Sequence, residues 1–309
     1  MTGHDNVKRT RVAARFFCGR RGGRMVSKRR SSMERMALYT PRLPGFALLL
    51  SLLAAVPAAA FEPPPVASRL VVAGGIENGA YRAALVIDLP DGWHTYWRNP
   101  GDAGIPPIFD VAKSANLGDF SVDYPVPARH VDGAGTSLVY QGRLTLPIRA
   151  VPARPGEPVT LAVRVLYGLC EQVCVPAEAD VSARLEPAAA ADPEATAAIA
   201  AAAASVPVRH DDGRLAVDAV RFDRKAGKGR VEVSVTDDGR LVDLFAAGPV
   251  RWYAAPPEPA GEDNGRRRFV VALEGPAGAK GADGIELSFV LAERTGAFEV
   301  VRRLDAVTE

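Results

Sequence analysis

The chain has 309 residues, with 38 Lys/Arg against 36 Asp/Glu and a net charge of +2 at neutral pH. The charge is unevenly spread: residues 1–60 hold 12 of the basic and 2 of the acidic side chains, so residues 61–309 carry 26 and 34, a net charge of −8. A body this acidic excludes nucleic acid as a partner, because phosphate binding depends on clustered Lys and Arg.

Residues 1–32 hold ten Lys/Arg and one acid, Asp5, without hydrophobic periodicity. A basic tail of this kind reads as nucleic-acid or membrane binding. The simpler reading is an over-long start, with Met33 or Met36 as the initiator. The pairs Arg20–Arg21 and Arg29–Arg30 are not followed by residues that support twin-arginine export. Residues 43–60, "LPGFALLLSLLAAVPAAA", have Arg35 and Arg42 ahead of them and end on an A-x-A site, Ala58 and Ala60. That is the pattern of a secretory signal peptide, with cleavage expected after Ala60. The run is short for a membrane span, which takes about 20 apolar residues; left uncleaved, it would anchor the protein in the inner membrane. The expected location is the periplasm. Cys18 and all four methionines leave with the leader.

The next stretch alternates with period two. "YRAALVIDL" (81–89) places Tyr81, Ala83, Leu85, Ile87 and Leu89 on one face. "RLTLPIRA" (143–150) does the same with Leu144, Leu146, Ile148 and Ala150, and "VTLAVRVLY" (159–167) with Val159, Leu161, Val163, Val165 and Tyr167. Such segments between Gly/Pro turns predict half-buried antiparallel strands and a β-sandwich. Residues 187–207 are Ala-rich; Asp192 can cap, Pro193 suits the first helical position and Pro207 stops the run, which predicts one short connecting helix. Strands resume at 230–235, 241–246, 267–273 and 284–292, with turns such as "APPEPAGEDNG" between them. The expected fold is all-β: two immunoglobulin-like sandwiches, 61–186 and 208–309, joined by the helix and preceded by the 1–60 leader.

Two stretches carry chemistry. "VRVLYGLCEQVCVPAE" holds Cys170 and Cys174. In an exported chain such a pair is expected to be a disulfide. On one straight strand the two would lie about 13 Å apart at about 3.3 Å per residue, too far to bond. A hairpin with Glu171, Gln172 and Val173 as its loop brings them face to face, and Pro176 suits an edge strand. So small a loop removes little entropy from the unfolded chain, so the bond is a poor staple. A redox-active pair is favoured over a structural one, with a metal site third. Two thiolates are half of a closed zinc site, and His94, His130 and His210 lack ligand spacing. No metal and no cofactor is expected.

The second stretch, "GWHTYWRNPGDAGIPP" (92–107), predicts a strand with Trp93, Thr95 and Trp97 on one face and His94, Tyr96 and Arg98 on the other. "NPGDAGIPP" after it reads as a loop. A lone His94 on a strand is more often a surface or core residue than an acid–base group. Glu171 and Glu178 flank the cysteines; close carboxylates would raise a thiol pKa, though solvated ones would not.

Together, "DGWHTYWRNPGDAGIPP" and "YGLCEQVCVPAEA" resemble the periplasmic N-terminal domain of the DsbD/ScsB thiol:disulfide interchange reductases. The three-residue cysteine spacing is nearer the ScsB branch. The resemblance is specific over 68–185 and looser over 208–305, where that branch carries a second immunoglobulin-like module. It implies a sandwich whose Cys170 and Cys174 pass electrons to thioredoxin-like or disulfide-isomerase-like periplasmic partners. Candidate supporting residues are Tyr96, Asp102, Tyr167, Glu171 and Glu178. The family also shields its pair with a cap loop, for which "NPGDAG" is the candidate. Full-length members continue into a membrane domain and a thioredoxin-like domain, so a separate membrane electron donor is expected here. Cys174, before Pro176, is expected to be the more exposed and attacking cysteine. The rival reading is a periplasmic binding or assembly module with a static disulfide.

Overall fold

A computed structural model describes residues 64–305 and 307–308. The leader, the signal-like run, Cys18 and the alternative starts lie outside them. Ten strands come first: β1 (Ala67–Val72), β2 (Tyr81–Asp88), β3 (His94–Gly101), β4 (Ile108–Asp110), β5 (Leu117–Val122), β6 (Ala128–Asp132), β7 (Gly135–Gln141), β8 (Arg143–Pro152), β9 (Val159–Cys170) and β10 (Cys174–Leu185). They form two sheets, ordered β1-β2-β8-β5 and β10-β9-β3-β7-β6, with β4 beside β9. The alternating residues of β2, β8 and β9 meet between the sheets as one core with Trp93 and Trp97. Burial of these apolar faces is the main force holding the sheets together.

The helix α1 (Pro193–Ala204) starts where Asp192 accepts from the Glu194 and Ala195 amides, both at 3.0 Å, with Pro193 in the first turn. It is more than a connector. Its buried Ile199 packs on Ala73 and Ala84, and Thr196 Oγ1 donates to the Ala73 carbonyl at 3.2 Å. This covers the outer face of β2, so that strand is buried on both sides, which its one-face pattern does not predict.

The second sandwich contains β11 (Val208–Arg209), β12 (Leu215–Asp223), β13 (Lys228–Thr236), β14 (Leu241–Ala247), β15 (Tyr253–Ala254), β16 (Glu258–Asp263), β17 (Arg266–Glu274), β18 (Glu286–Glu293), β19 (Gly296–Arg303) and β20 (Val307–Thr308). Its sheets are ordered β11-β19-β18-β14 and β15-β17-β13-β12-β20, with β16 beside β17. The fold is thus two immunoglobulin-like sandwiches with one Ala-rich helix between them.

One predicted connection is a strand instead, and another is a loop that starts later than predicted. "APPEPAGEDNG" holds β16, exposed along its whole length. It turns into β17 through Asn264 and Gly265, at φ 52° and 74°, the backbone that Asn-Gly allows in a tight hairpin. With no buried face, β16 shows no hydrophobic alternation. In "NPGDAGIPP", β3 runs on to Gly101 and β4 follows at Ile108. The register against β7 shifts between Tyr96 and Gly101, because this part of β3 is held by the second sandwich. Asn99 Nδ2 donates to the Ala246 and Ala254 carbonyls at 2.7 and 2.6 Å. Arg98 donates to Ser288 Oγ at 3.0 Å and Glu299 Oε1 at 2.5 Å. Trp97 meets Phe245 edge-on at 6.2 Å. Phe245, Ala247 and Val290 therefore belong to the first sandwich's core.

Candidate functional site

The site stands at the tip of the β9–β10 hairpin. Cys170 closes β9, Cys174 opens β10, and the two are register partners across the three-residue loop. Their Cα atoms are 4.1 Å apart and the sulfurs are bonded. β10 is the edge strand, so Pro176 leaves no internal ladder bond unmade. The two sulfurs have different surroundings. Cys170 is 1% exposed and packs with Tyr96 and Val139, whereas Cys174 is exposed.

Tyr96 comes from the centre of β3. Its hydroxyl lies 2.7 Å from Cys170 Sγ and 3.3 Å from Cys174 Sγ. A disulfide carries no hydrogen, so the phenol is the donor in both contacts. Burial, then the negative charge of Asp132, raises the Tyr96 pKa, so the hydroxyl keeps its proton. Two glycines flank the ring. At Gly104, with φ +115°, an added Cβ would sit 2.2 Å from Tyr96 Cε1; at Gly168 it would sit 2.8 Å from Cε2. Only glycine lets both backbones come this close. The Gly168 amide donates to the Ile105 carbonyl at 3.1 Å, pinning the 102–107 loop to β9. That loop therefore lies on the tyrosine ring and leaves Cys174 open.

Of the other predicted supporting residues, Asp102, Tyr167 and Glu178 are turned to other partners, and Glu171 alone sits beside the cysteines, on the loop between them. Asp102 accepts from the Thr136 amide and the Tyr253 hydroxyl, both at 2.8 Å, and so ties the loop to the second sandwich. Tyr167 points into the sandwich core, on the opposite face of β9 from Cys170. Glu178 is paired with Arg164, whose Nε donates at 2.7 Å; at four positions along β10 it is about 13 Å from Cys174. Glu171 sits exposed on the loop, with its carboxylate leaning on Gly92.

One neighbour is absent from that set. His94 is the register partner of Cys170 on β3, 4% exposed, with its ring 5.4 Å from Tyr96 and 4.7 Å from His130. Its strand alternation with Tyr96 was visible in the sequence. Nothing in the sequence links it to His130, which lies on β6, a strand reached only through β7.

A two-sheet sandwich that presents a cysteine hairpin at its edge, with a buried tyrosine donating to both sulfurs, defines the class of domain. Residues 59–186 match the family model of the N-terminal domain of the thiol:disulfide interchange protein DsbD. Residues 59–186 therefore form a DsbD-type N-terminal domain. Among solved structures the chain is similar to the N-terminal periplasmic domain of ScsB from Proteus mirabilis, with 19% identity, a TM-score of 0.55, and coverage of 78% of this chain and 92% of that one. The overlap extends through both sandwiches. The Neisseria meningitidis DsbD N-terminal domain in its reduced form is 17% identical, with a TM-score of 0.24, and covers 38% of this chain and 84% of that one. No curated protein sequence matches the chain.

Proposed function

We propose that the protein is a periplasmic thiol:disulfide exchanger that passes electrons through Cys170 and Cys174. Residues 61–186 would form the redox domain, 187–207 its connector and 208–309 a supporting immunoglobulin-like domain. The observation that carries this reading is the asymmetry of the two sulfurs: Cys174 is open, while Cys170 is buried on the Tyr96 hydroxyl. An incoming donor thiolate attacks Cys174 Sγ and forms a mixed disulfide. The Cys170–Cys174 bond breaks, and its electron pair leaves on Cys170 as a thiolate that the tyrosine O–H stabilises. A second donor thiol resolves the mixed disulfide, leaving two thiols. In the reverse direction the dithiol reduces a partner disulfide by the same steps. The partners fitting this chemistry are thioredoxin-like or disulfide-isomerase-like proteins, with a membrane electron donor upstream. No cofactor takes part.

The test is the reduction potential of the Cys170–Cys174 couple, measured in thiol redox buffers. Exchange requires a value in the range of known exchangers, about −180 to −270 mV. A value below about −300 mV marks a structural bond and favours a binding or assembly module with a static disulfide.

A further inference from the structure

The buried face behind the disulfide carries more ionisable chemistry than a hydrogen-bonding tyrosine. On β3, His94 lies between Gln141 of β7 and Cys170 of β9, in register with both. Register partners on antiparallel strands project to the same side with Cβ atoms about 4.5–5.5 Å apart, which puts the imidazole and the Cys170 side chain on one face of the sheet as neighbours. Its far side meets the His130 ring at 4.7 Å. His130 is partly exposed, and its Nε2 lies 3.7 Å from Asp132 Oδ2. The groups facing His94 are thus Cys170 on β9, Tyr96 on its own strand, and His130 and Asp132 on β6; Gln141 on β7 is uncharged. A chain of ionisable groups runs from the buried sulfur to the surface.

Resting on the exchange reading above, we propose that His94 and His130 form a proton relay for Cys170. When the disulfide opens, Cys170 leaves as a thiolate and needs a proton; when the dithiol transfers electrons, Cys170 must lose one. Tyr96 serves neither need, since its raised pKa keeps its proton in place. His94 serves both. Going forward, the new thiolate draws a proton onto the neutral His94 from solvent through His130, and His94 passes it to Cys170 Sγ. In reverse, neutral His94 takes the Cys170 proton, and the thiolate left behind attacks the mixed disulfide at Cys174. The Cys170–Cys174 bond re-forms, and the partner thiolate departs and is protonated from water. Burial, helped by the nearby His130 charge, lowers the His94 pKa, so the resting imidazole is neutral and able to accept. Asp132 acts the other way and limits that shift.

The relay is tested on the full chain carrying Cys18→Ser and Cys174→Ser, which leaves Cys170 as the only thiol; its thiolate absorbance is followed against pH. Adding His94→Gln removes the proton acceptor, so the thiolate fraction near neutral pH should fall at least about fivefold, towards that of an ordinary buried thiol. Adding His130→Gln removes a positive neighbour that opposes protonation of His94, so at mildly acidic pH the thiolate fraction should rise. Opposite signs from adjacent residues are not what loosened packing would give. If both curves coincide with the parent, or both move the same way, the relay is wrong. If His94→Gln does not fold, the half-exposed His130→Gln decides alone, and an unchanged curve overturns the proposal. No partner enters this titration, so a potential outside the exchange range would sink the functional reading without touching the relay.

Discussion

The two sandwiches share one plan, a four-stranded sheet packed on a six-stranded one, but they treat buried polar groups differently. Of the five polar residues buried as a whole among the described residues, His94, Thr95, Asn99 and Ser137 lie on β3 and β7 of the first sandwich and Ser234 lies in the second, which also buries the Glu293 side chain against Arg214. Burying a polar group costs stability unless it is paired. In the first sandwich the pairing also fixes position. Thr95 Oγ1 donates to the Gly168 carbonyl at 2.8 Å, Ser137 Oγ to the Ala103 carbonyl at 3.2 Å, and Asn99 to two carbonyls of the second sandwich. These bonds set β9, the 102–107 loop and the neighbouring domain around Tyr96. The second sandwich packs one apolar cluster, buries Glu293 against Arg214 and has no cysteine; it works as a clamp on the far half of the strand that carries the tyrosine. Identical architecture therefore supports a reactive centre in one domain and rigidity in the other, according to where polar groups are buried.

The sharpest way to break that division is Asn99→Ala. It leaves the Ala246 and Ala254 carbonyls without their donor, and the expected loss is about 2–4 kcal/mol in chemical denaturation. If the clamp matters to the site, the same variant changes the rate at which a small thiol opens the disulfide. An unchanged rate in folded protein would make the two sandwiches independent.

Tyr96→Phe keeps the packing between Gly104 and Gly168 but removes the hydroxyl from both sulfurs. A hydrogen bond to a charged sulfur is worth about 1.5–3 kcal/mol, so opening of the disulfide should slow about tenfold or more. Stability should change far less than the rate. A variant that opens as fast as the parent would leave the tyrosine a purely structural residue.

The smallest effect is expected at the junction carboxylate. Burial pushes the Glu299 pKa up, but the hydrogen bond from Ser288 and the charge of Arg98 outweigh it and hold the carboxyl below its ordinary value. A depressed carboxyl stabilises the folded state above its unfolded pKa of about 4.3, and this contribution is lost as pH falls through the folded value. Stability measured below about pH 4.3 should therefore fall along a limb that Glu299→Gln flattens by about 1 kcal/mol. An unchanged limb would place the acid sensitivity outside the junction.

How much of this was legible follows from what local sequence encodes. The faces of β2, β8 and β9 were readable because a strand with one buried side must alternate, and the helix was readable from Asp192, Pro193 and its alanines. The cysteine hairpin was readable because four positions leave few geometries in which two sulfurs meet. Exposed β16 was missed because a strand with no buried face carries no pattern. Asp102 and Tyr167 were drawn towards the site by nearness in sequence. In the fold, Asp102 serves the domain junction, and strand parity turns Tyr167 into the core.

By itself, then, the sequence determined the strand class, the hairpin with its cysteine pair and the face shared by His94 and Tyr96, since each depends on residues a few positions apart. Only the tertiary structure decided that Tyr96 donates to both sulfurs across 74 and 78 positions, that His130 meets His94 at a tilt, and that a second sandwich grips β3. These contacts arise from sheet order and packing between strands distant in the chain, and no local pattern encodes that order.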